Sequence, residues 1–98
     1  MQVGVCRVKL HLPENGSLKG KRQVIRSVTT RVRSRFNVAI AEIEDNNLWQ
    51  IASLGITCVS NDARHANEML SKVVEFIEDI RGDAELVDYE VEILSSLD

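Results

Sequence analysis

Two segments with helical hydrophobic periodicity alternate with four segments of strand-like pattern, and this order constrains the fold more than any other feature. In the first helical segment, from Leu18 to about Arg35, the apolar residues fall on one helix face: Leu18, Ile25, Val28, Val32 and Phe36. The second follows the capping candidates Ser60-Asn61-Asp62, and Arg81 and Gly82 signal its end. Its apolar face consists of Ala66, Leu70, Val73, Ile77 and Ile80.

The strand-like segments flank these helices. Val3 to Leu12 alternates, with Cys6, Val8, Leu10 and Leu12 on one side, before Pro13-Glu14-Asn15-Gly16 ends it and Ser17 offers an N-cap. Asn37 to Glu44 and Trp49 to Ser60 predict a hairpin around Asp45-Asn46-Asn47. The last segment places Val87, Tyr89, Val91 and Ile93 on one face and Asp88, Glu90 and Glu92 on the other.

The resulting order, β-α-β-β-α-β, is that of α+β ferredoxin-like domains. We therefore expect one domain over residues 1–98, with a four-stranded antiparallel sheet and both helices on one face. Right-handed crossovers would place the first strand between the third and the fourth.

Composition excludes several other classes of protein. The chain has 44% hydrophobic and 28% charged residues, and no apolar run approaches the roughly 20 residues that span a bilayer. Because the first residues also lack a signal-peptide pattern, we expect a cytoplasmic protein with no membrane contact. In that compartment Cys6 and Cys58 should be buried, reduced neighbours. No Cys or His spacing indicates a metal site, and we expect no cofactor.

Charge is divided unevenly along the chain. Residues 1–41 carry nine Lys and Arg against one acid, whereas the remainder carries three against fourteen. The net charge of −3 therefore hides a basic surface on an acidic protein, and such a surface can bind phosphates.

Several motifs stand in a specific order: Leu12-Pro13-Glu14-Asn15-Gly16-Ser17-Leu18-Lys19-Gly20-Lys21-Arg22, then Arg33-Ser34-Arg35-Phe36-Asn37-Val38, Ala41-Glu42, Leu48-Trp49-Gln50, Leu54-Gly55 and Val59-Ser60-Asn61-Asp62. Over nearly its whole length the chain resembles the YlxP-like family of small bacterial proteins. Gly20 departs from the pattern, since relatives often carry a charged residue there. The resemblance implies a ferredoxin-like fold. It also suggests association with RNA or the ribosome, because the family's genes often lie among those for translation and ribosome maturation.

The candidate site for nucleic acid or another anion is the first helix. Lys19, Arg22, Arg26 and Arg33 fall on one flank, and Arg31 and Arg35 on the other. A row of cations binds phosphate backbones by releasing counterions, although charged helix faces also serve only for solubility. At the helix start, Ser17, Lys19, Lys21 and Arg22 would form a compact anion site. Alternatively Lys21, which lies within the apolar stripe, pairs with a carboxylate at the sheet edge.

The uncovered sheet face has charges of both signs. Arg7, Lys9 and His11 are predicted to face Glu92, Glu90 and Asp88, respectively, in cross-strand pairs. This arrangement favours structural pairing, and the central strands lack the aromatic residues of an RNA-recognition sheet.

A homodimer is expected because small sheets leave edges unpaired. Either the second strand pairs with its copy through Val38 and Ile40, or Trp49 and Ile51 cover the open face. For Trp49, placed at the start of the third strand, packing or a subunit contact is favoured over stacking on a base.

These features predict a non-enzymatic module that binds structured RNA or a ribosomal particle through its first helix. The alternative is a homodimeric protein-interaction or regulatory module whose basic helix meets an acidic protein. A further alternative is a phosphate-ester-binding or acylphosphatase-like enzyme, which shares the topology, although Pro13-Glu14-Asn15-Gly16-Ser17 resembles its phosphate loop only in position.

Overall fold

The computed structural model describes residues 1–80, 82 and 84–97. Its elements are β1 (Gln2–His11), α1 (Leu18–Arg35), β2 (Ala39–Glu44), β3 (Ile51–Ser60), α2 (Ala63–Asp79) and β4 (Glu85–Ser95). This is the predicted β-α-β-β-α-β order and an α+β, ferredoxin-like fold. The boundaries differ little from those expected, except that β3 begins two residues after Trp49.

The four strands form one antiparallel sheet in the order β2-β3-β1-β4, so β1 lies between β3 and β4 as predicted. Alternate residues of the central strands point towards the helices and are buried, among them Val8, Leu10, Leu54 and Ile56. They pack with Val28 and Val32 of α1 and with the α2 residues Ala66, Leu70, Val73 and Ile77. The two apolar helix faces predicted from the sequence therefore form the helix side of the core, which packs on one face of the sheet.

Side-chain caps fix the start of both helices. The hydroxyl of Ser17 accepts a hydrogen bond from the Gly20 amide at 3.0 Å, which confirms Ser17 as the N-cap of α1. Of the three candidates before α2, Asp62 is the cap, since its carboxylate accepts from the Arg64 amide at 3.0 Å. Gly82 follows α2 with a φ of 154°, whereas Arg81 lies outside the described residues.

Two irregularities in the ladders set which residues face each other. The pairing shifts between Glu42 and Glu44 in β2, and it shifts again in β4, where Lys9 faces Asp88 and Leu10 faces Leu86. The predicted charge pairs were also misplaced along β4, because the β1–β4 register up to Lys9 is offset by two residues from the one expected. Arg7 faces Glu90, Lys9 faces Asp88, and His11 faces Glu85, while Glu92 lies opposite Val5. Val87 is the residue of β4 that the irregularity leaves unpaired, and it is exposed, whereas Val91 and Ile93 pack against the core.

In the part of the chain that the structure describes, neither helix is long and apolar enough to cross a membrane.

Candidate nucleic-acid interface

Three exposed cations form a row along the solvent side of α1. Lys19, Arg22 and Arg26 stand three and four residues apart, which places them on one helix face over an axial distance of about 10 Å. The helix contains no Asp or Glu. Among the described residues, no carboxylate oxygen lies within 4.0 Å of these three side chains. We call these three residues the α1 row; its charges are available to an external anion.

The other arginines of α1 are engaged within the protein. Nη2 of Arg33 donates to the Ile40 carbonyl of β2 at 2.8 Å. The guanidinium carbons of Arg31 and Arg35 lie 6.0 and 5.1 Å from the ring centre of Phe76 on α2, a cation–π arrangement. These three residues fasten the second half of α1 to its neighbours. Arg33, which the sequence placed with the anion-binding residues, thus has at least one of its donors occupied.

Lys21 is buried, with 1% of its surface exposed. Its ammonium donates to the carbonyls of Asp45 at 2.5 Å and Leu48 at 2.8 Å, and it lies 2.9 Å from Oε2 of Glu42. The alternative interpretation of Lys21, a lysine paired with a carboxylate at the sheet edge, is therefore the one that the geometry matches. The Lys21 ammonium is therefore not available to the compact anion site expected at the helix start. Ser17 likewise acts as the helix cap.

Asn15 and Gln50 join the β1–α1 loop to the β2–β3 turn. Nδ2 of Asn15 donates to the carbonyls of Ser17 at 2.7 Å and Trp49 at 2.5 Å. Nε2 of Gln50 donates to the carbonyls of Pro13 and Asn15 at 3.1 and 3.2 Å. Sequence reasoning gave neither residue a role, although both stand within the motifs that carry the family resemblance. The motif residues were the available signal, and the fold brings them to one end of the molecule.

The structure explains why position 20, in the first turn of α1, is a glycine. A Cβ built on Gly20 would lie 2.2 Å from Oδ1 of Asn15, so the side chain of Asn15 occupies the space that any other residue would need. Gly in a helix costs roughly 1 kcal/mol relative to Ala. Gly20, where relatives often carry a charged residue, thus leaves space for the side-chain amide of Asn15, which donates to the Trp49 carbonyl.

The proposed dimer contacts lie in different environments. Trp49 is 54% exposed and precedes β3, so it is not a core residue. Ile51 is half-buried on the open sheet face, opposite His11. Ile40 is buried on the helix side, and Val38 is half-buried against the core. Since the Ile40 carbonyl also accepts from Arg33, Val38 and Ile40 offer little to a second copy at the β2 edge.

The uncovered face of the sheet contains a shallow groove of about 830 Å³. Its floor follows from small side chains, because Ala39, Ala41 and Gly55 stand side by side on β2 and β3. Ile43 leans over Gly55, where a built Cβ would meet its Cγ2 at 2.8 Å. Two larger apolar side chains, Val5 and Ile43, line the groove, and Val59 and Leu94 are exposed on the same face outside it. No helix covers this face of the sheet in the part of the chain that the structure describes.

Arg7 crosses the groove and contacts carboxylates on both sides. Its guanidinium donates to Glu90 of β4 at 2.5 Å and to Glu44 of β2 at 3.2 Å. The hydrogen bond with Glu90, followed by that with Glu44, raises the pKa of Arg7 above its usual value. Gly55 lies directly opposite Arg7 on β3 and has no side chain of its own between Arg7 and Glu44. Arg7 thus forms structural ion pairs with Glu90 and Glu44, and not with Glu92, the partner that the sequence predicted.

Neither cysteine nor histidine forms a reactive cluster. Cys6 and Cys58 are free and buried. They are diagonal neighbours, since Cys58 faces Gly4 and Cys6 faces Ile56. Burial raises the pKa of Cys6 to about 11. In the described part of the chain, no group of three His, Cys, Asp or Glu side chains is placed to hold a metal ion.

Comparison with known proteins places these features in a family. Residues 3–91 match the family described as "Protein of unknown function (DUF503)". The chain is also 37% identical over 76 residues to the uncharacterized protein YlxP of Bacillus subtilis (strain 168), an alignment that covers 78% of this chain and 83% of that protein. The predicted resemblance is confirmed, and the chain belongs to the DUF503 family of YlxP-like proteins.

Proposed function

We propose that the protein is a non-enzymatic module that binds structured RNA, as free RNA or within a ribosomal particle, through the α1 row. The observation that carries this proposal is the set of three exposed cations, Lys19, Arg22 and Arg26, on a helix without acids. Such a row contacts successive phosphates, and each contact releases condensed counterions into solution. The family resemblance, with its genes among those for translation, points to the same class of ligand.

The distribution of the acidic residues supports one orientation on the RNA. α1 packs on the β2 side of the sheet, whereas α2 packs on β1, β4 and β3. The exposed acids of α2 and β4 stand on elements other than the one that carries the α1 row: Glu68, Glu75, Glu78, Asp79, Glu85, Asp88, Glu90 and Glu92. These acids repel a polyanion, so the protein presents α1 to the RNA.

Filter binding to ribosomal RNA at several salt concentrations tests the proposal. The test variant replaces Lys19, Arg22 and Arg26 with alanine. A matched control replaces Lys9, Arg64 and Lys72, three exposed bases on β1 and α2, and so removes the same charge. The wild type and the control should lose affinity steeply with salt, whereas the test variant should have a log–log slope smaller by about 2.

Two outcomes would overturn the proposal. One is the absence of binding by the wild type at low salt. The other is an equal loss of affinity in both triple variants, because net charge alone would then explain it. Competition with polyglutamate separates RNA from the acidic protein partner considered above. Polyglutamate that binds the α1 row as tightly as RNA would favour the protein partner.

A second candidate role is self-association through the open sheet face. Val59, Ile43 and Leu94 expose 69%, 49% and 44% of their surface on this face. With strands about 4.8 Å apart and about 3.3 Å per residue, the sheet presents a plane of roughly 600 Å². Because side chains project from this plane, the accessible area of the sheet face is larger and approaches the roughly 800 Å² that each partner buries in a stable dimer. We propose a second copy of the chain as the occupant, since a two-fold contact lets one patch cover another.

A further inference from the structure

The backbone of Trp49 lies close to the N-cap of α1, and we propose that its exposed indole stacks on an unpaired base of the bound RNA. This inference rests on the proposed function and names the form of the ligand. Trp49 is the largest exposed apolar side chain in the described residues, at 54% exposure. A ligand that covers this ring removes a large apolar surface from water, and that burial is favourable.

The backbone around Trp49 is held on both sides. The Leu48 carbonyl accepts from the Lys21 ammonium at 2.8 Å, and the Trp49 carbonyl accepts from Asn15 at 2.5 Å. The Gln50 carbonyl accepts from the Leu12 amide at 2.8 Å. Three consecutive carbonyls are therefore fixed to β1, α1 and the loop between them. A ring on so rigid a backbone loses little conformational entropy when a ligand stacks on it.

The same contacts place Trp49 at the beginning of the α1 row. Both the Trp49 and the Ser17 carbonyls lie within 2.7 Å of one nitrogen, Nδ2 of Asn15. Lys19 follows Ser17 by two residues, and Arg22 lies one turn further along the helix. The backbone of Trp49 and the first cation of the row thus lie at the same end of α1.

A nucleotide with a free base matches this surface. Proteins that bind single-stranded RNA combine cations along the backbone with aromatic rings on which bases stack. In a duplex the bases are stacked on each other and offer no free face to Trp49. The ligand class is therefore a loop, bulge or single-stranded segment, with its phosphates on the α1 row and one base on the indole.

Trp49 is the only tryptophan, so its fluorescence reports on this site directly. The probe is an eight-nucleotide single-stranded RNA, compared with the duplex that it forms with its complement. The single strand should quench the emission, and Trp49→Ala should weaken its binding at least about fivefold. Trp49→Phe should retain most of the affinity, and duplex binding should change little in either variant.

Tyr89→Ala is the matched control, because Tyr89 exposes 52% of its surface on β4, away from α1. It should leave the binding of both RNA forms unchanged. Circular dichroism and thermal unfolding of Trp49→Ala verify that the variant is folded, and Trp49→Phe keeps the test valid if it is not.

The inference and the proposed function fail in different ways. If Trp49→Ala binds the single strand as tightly as wild type, while the triple variant of the α1 row has lost binding, the stacking role is wrong and the proposed function stands. If the wild type binds neither RNA form, both are wrong. If the emission changes on dilution without RNA and not with RNA, Trp49 is a subunit contact, and stacking is overturned.

Discussion

The ammonium of Lys21 lies 2.9 Å from Oε2 of Glu42, and this ion pair joins α1 to the edge strand β2. The same ammonium donates to the carbonyls of Asp45 and Leu48 in the following turn. A single helix side chain therefore holds the end of β2 and the turn that leads to Trp49. Asp45 adopts a φ of 62° there, and the Leu48 amide donates back to its carbonyl.

Replacing Lys21 should destabilise the fold strongly. Lys21→Met keeps the length of the side chain, removes the ammonium that donates to the carbonyls of Asp45 and Leu48, and leaves the Glu42 carboxylate without its cation. Removing one partner of a buried ion pair costs about 3 to 5 kcal/mol, and partial exposure of Glu42 places the expected loss near the lower end, about 3 kcal/mol. Urea denaturation measures this loss. Arg22→Met, an exposed control one residue away, should change stability by less than about 0.5 kcal/mol; equal losses would contradict the assignment.

The space above Gly55 is filled by Ile43. Gly55→Ala brings a Cβ to 2.8 Å from Cγ2 of Ile43, so we expect a loss of about 1 to 3 kcal/mol from overpacking. Adding Ile43→Ala should recover part of that loss, since it removes the clashing atoms. Gly16→Ala is the control, because a Cβ there meets nothing within 4 Å. Thermal unfolding of the wild type, Gly55→Ala, Ile43→Ala, the double variant and the control measures these losses, and additive losses in the double variant would disprove the contact.

Stability should decrease in alkali because of Cys6. Burial raises its pKa to about 11 in the folded protein, above the ordinary thiol value of 9.0. Between these values the unfolded chain has lost the proton that the folded chain retains, so the free energy of unfolding falls as pH rises, by up to about 1.4 kcal/mol per unit. Denaturation from pH 8 to 11 should show a shallower decline in Cys6→Ala. Parallel curves for the two proteins would show that Cys6 does not contribute.

Self-association should depend on the open sheet face. Val59→Glu or Ile43→Glu introduces a charge into the apolar surface, and either should shift a dimer to a monomer in light scattering. Val87→Glu is the control, because Val87 is 51% exposed at the irregularity of β4. A mass of 11.0 kDa for the wild type at every concentration would rule out the dimer. A dimer that survives both open-face substitutions would place the contact elsewhere.

Local sequence patterns determined the elements and most of their orientation. The spacing of Val28 and Val32 in α1 and of Leu70 and Val73 in α2 marks the buried helix faces, because a helix repeats every 3.6 residues. Ser17 and Asp62 start the helices through hydrogen bonds to amides two or three residues away. Such interactions are short in sequence, so the sequence alone contains both partners. The element order then leaves few topologies, and the ferredoxin-like arrangement followed.

Only the tertiary structure decided which charges meet and which remain available. The register of β1 and β4 places Arg7 opposite Glu90 and not Glu92, and a strand pattern with a period of two does not distinguish two registers that differ by two residues. The apolar stripe distinguished Lys21 from the other bases of α1 and left two roles open, and acceptors 21 to 27 residues away decided between them. The sequence placed Trp49 at the start of the third strand, whereas in the structure it precedes β3 and its carbonyl accepts from Asn15, 34 positions earlier. Each of these outcomes depends on contacts between distant parts of the chain, and local periodicity does not encode them.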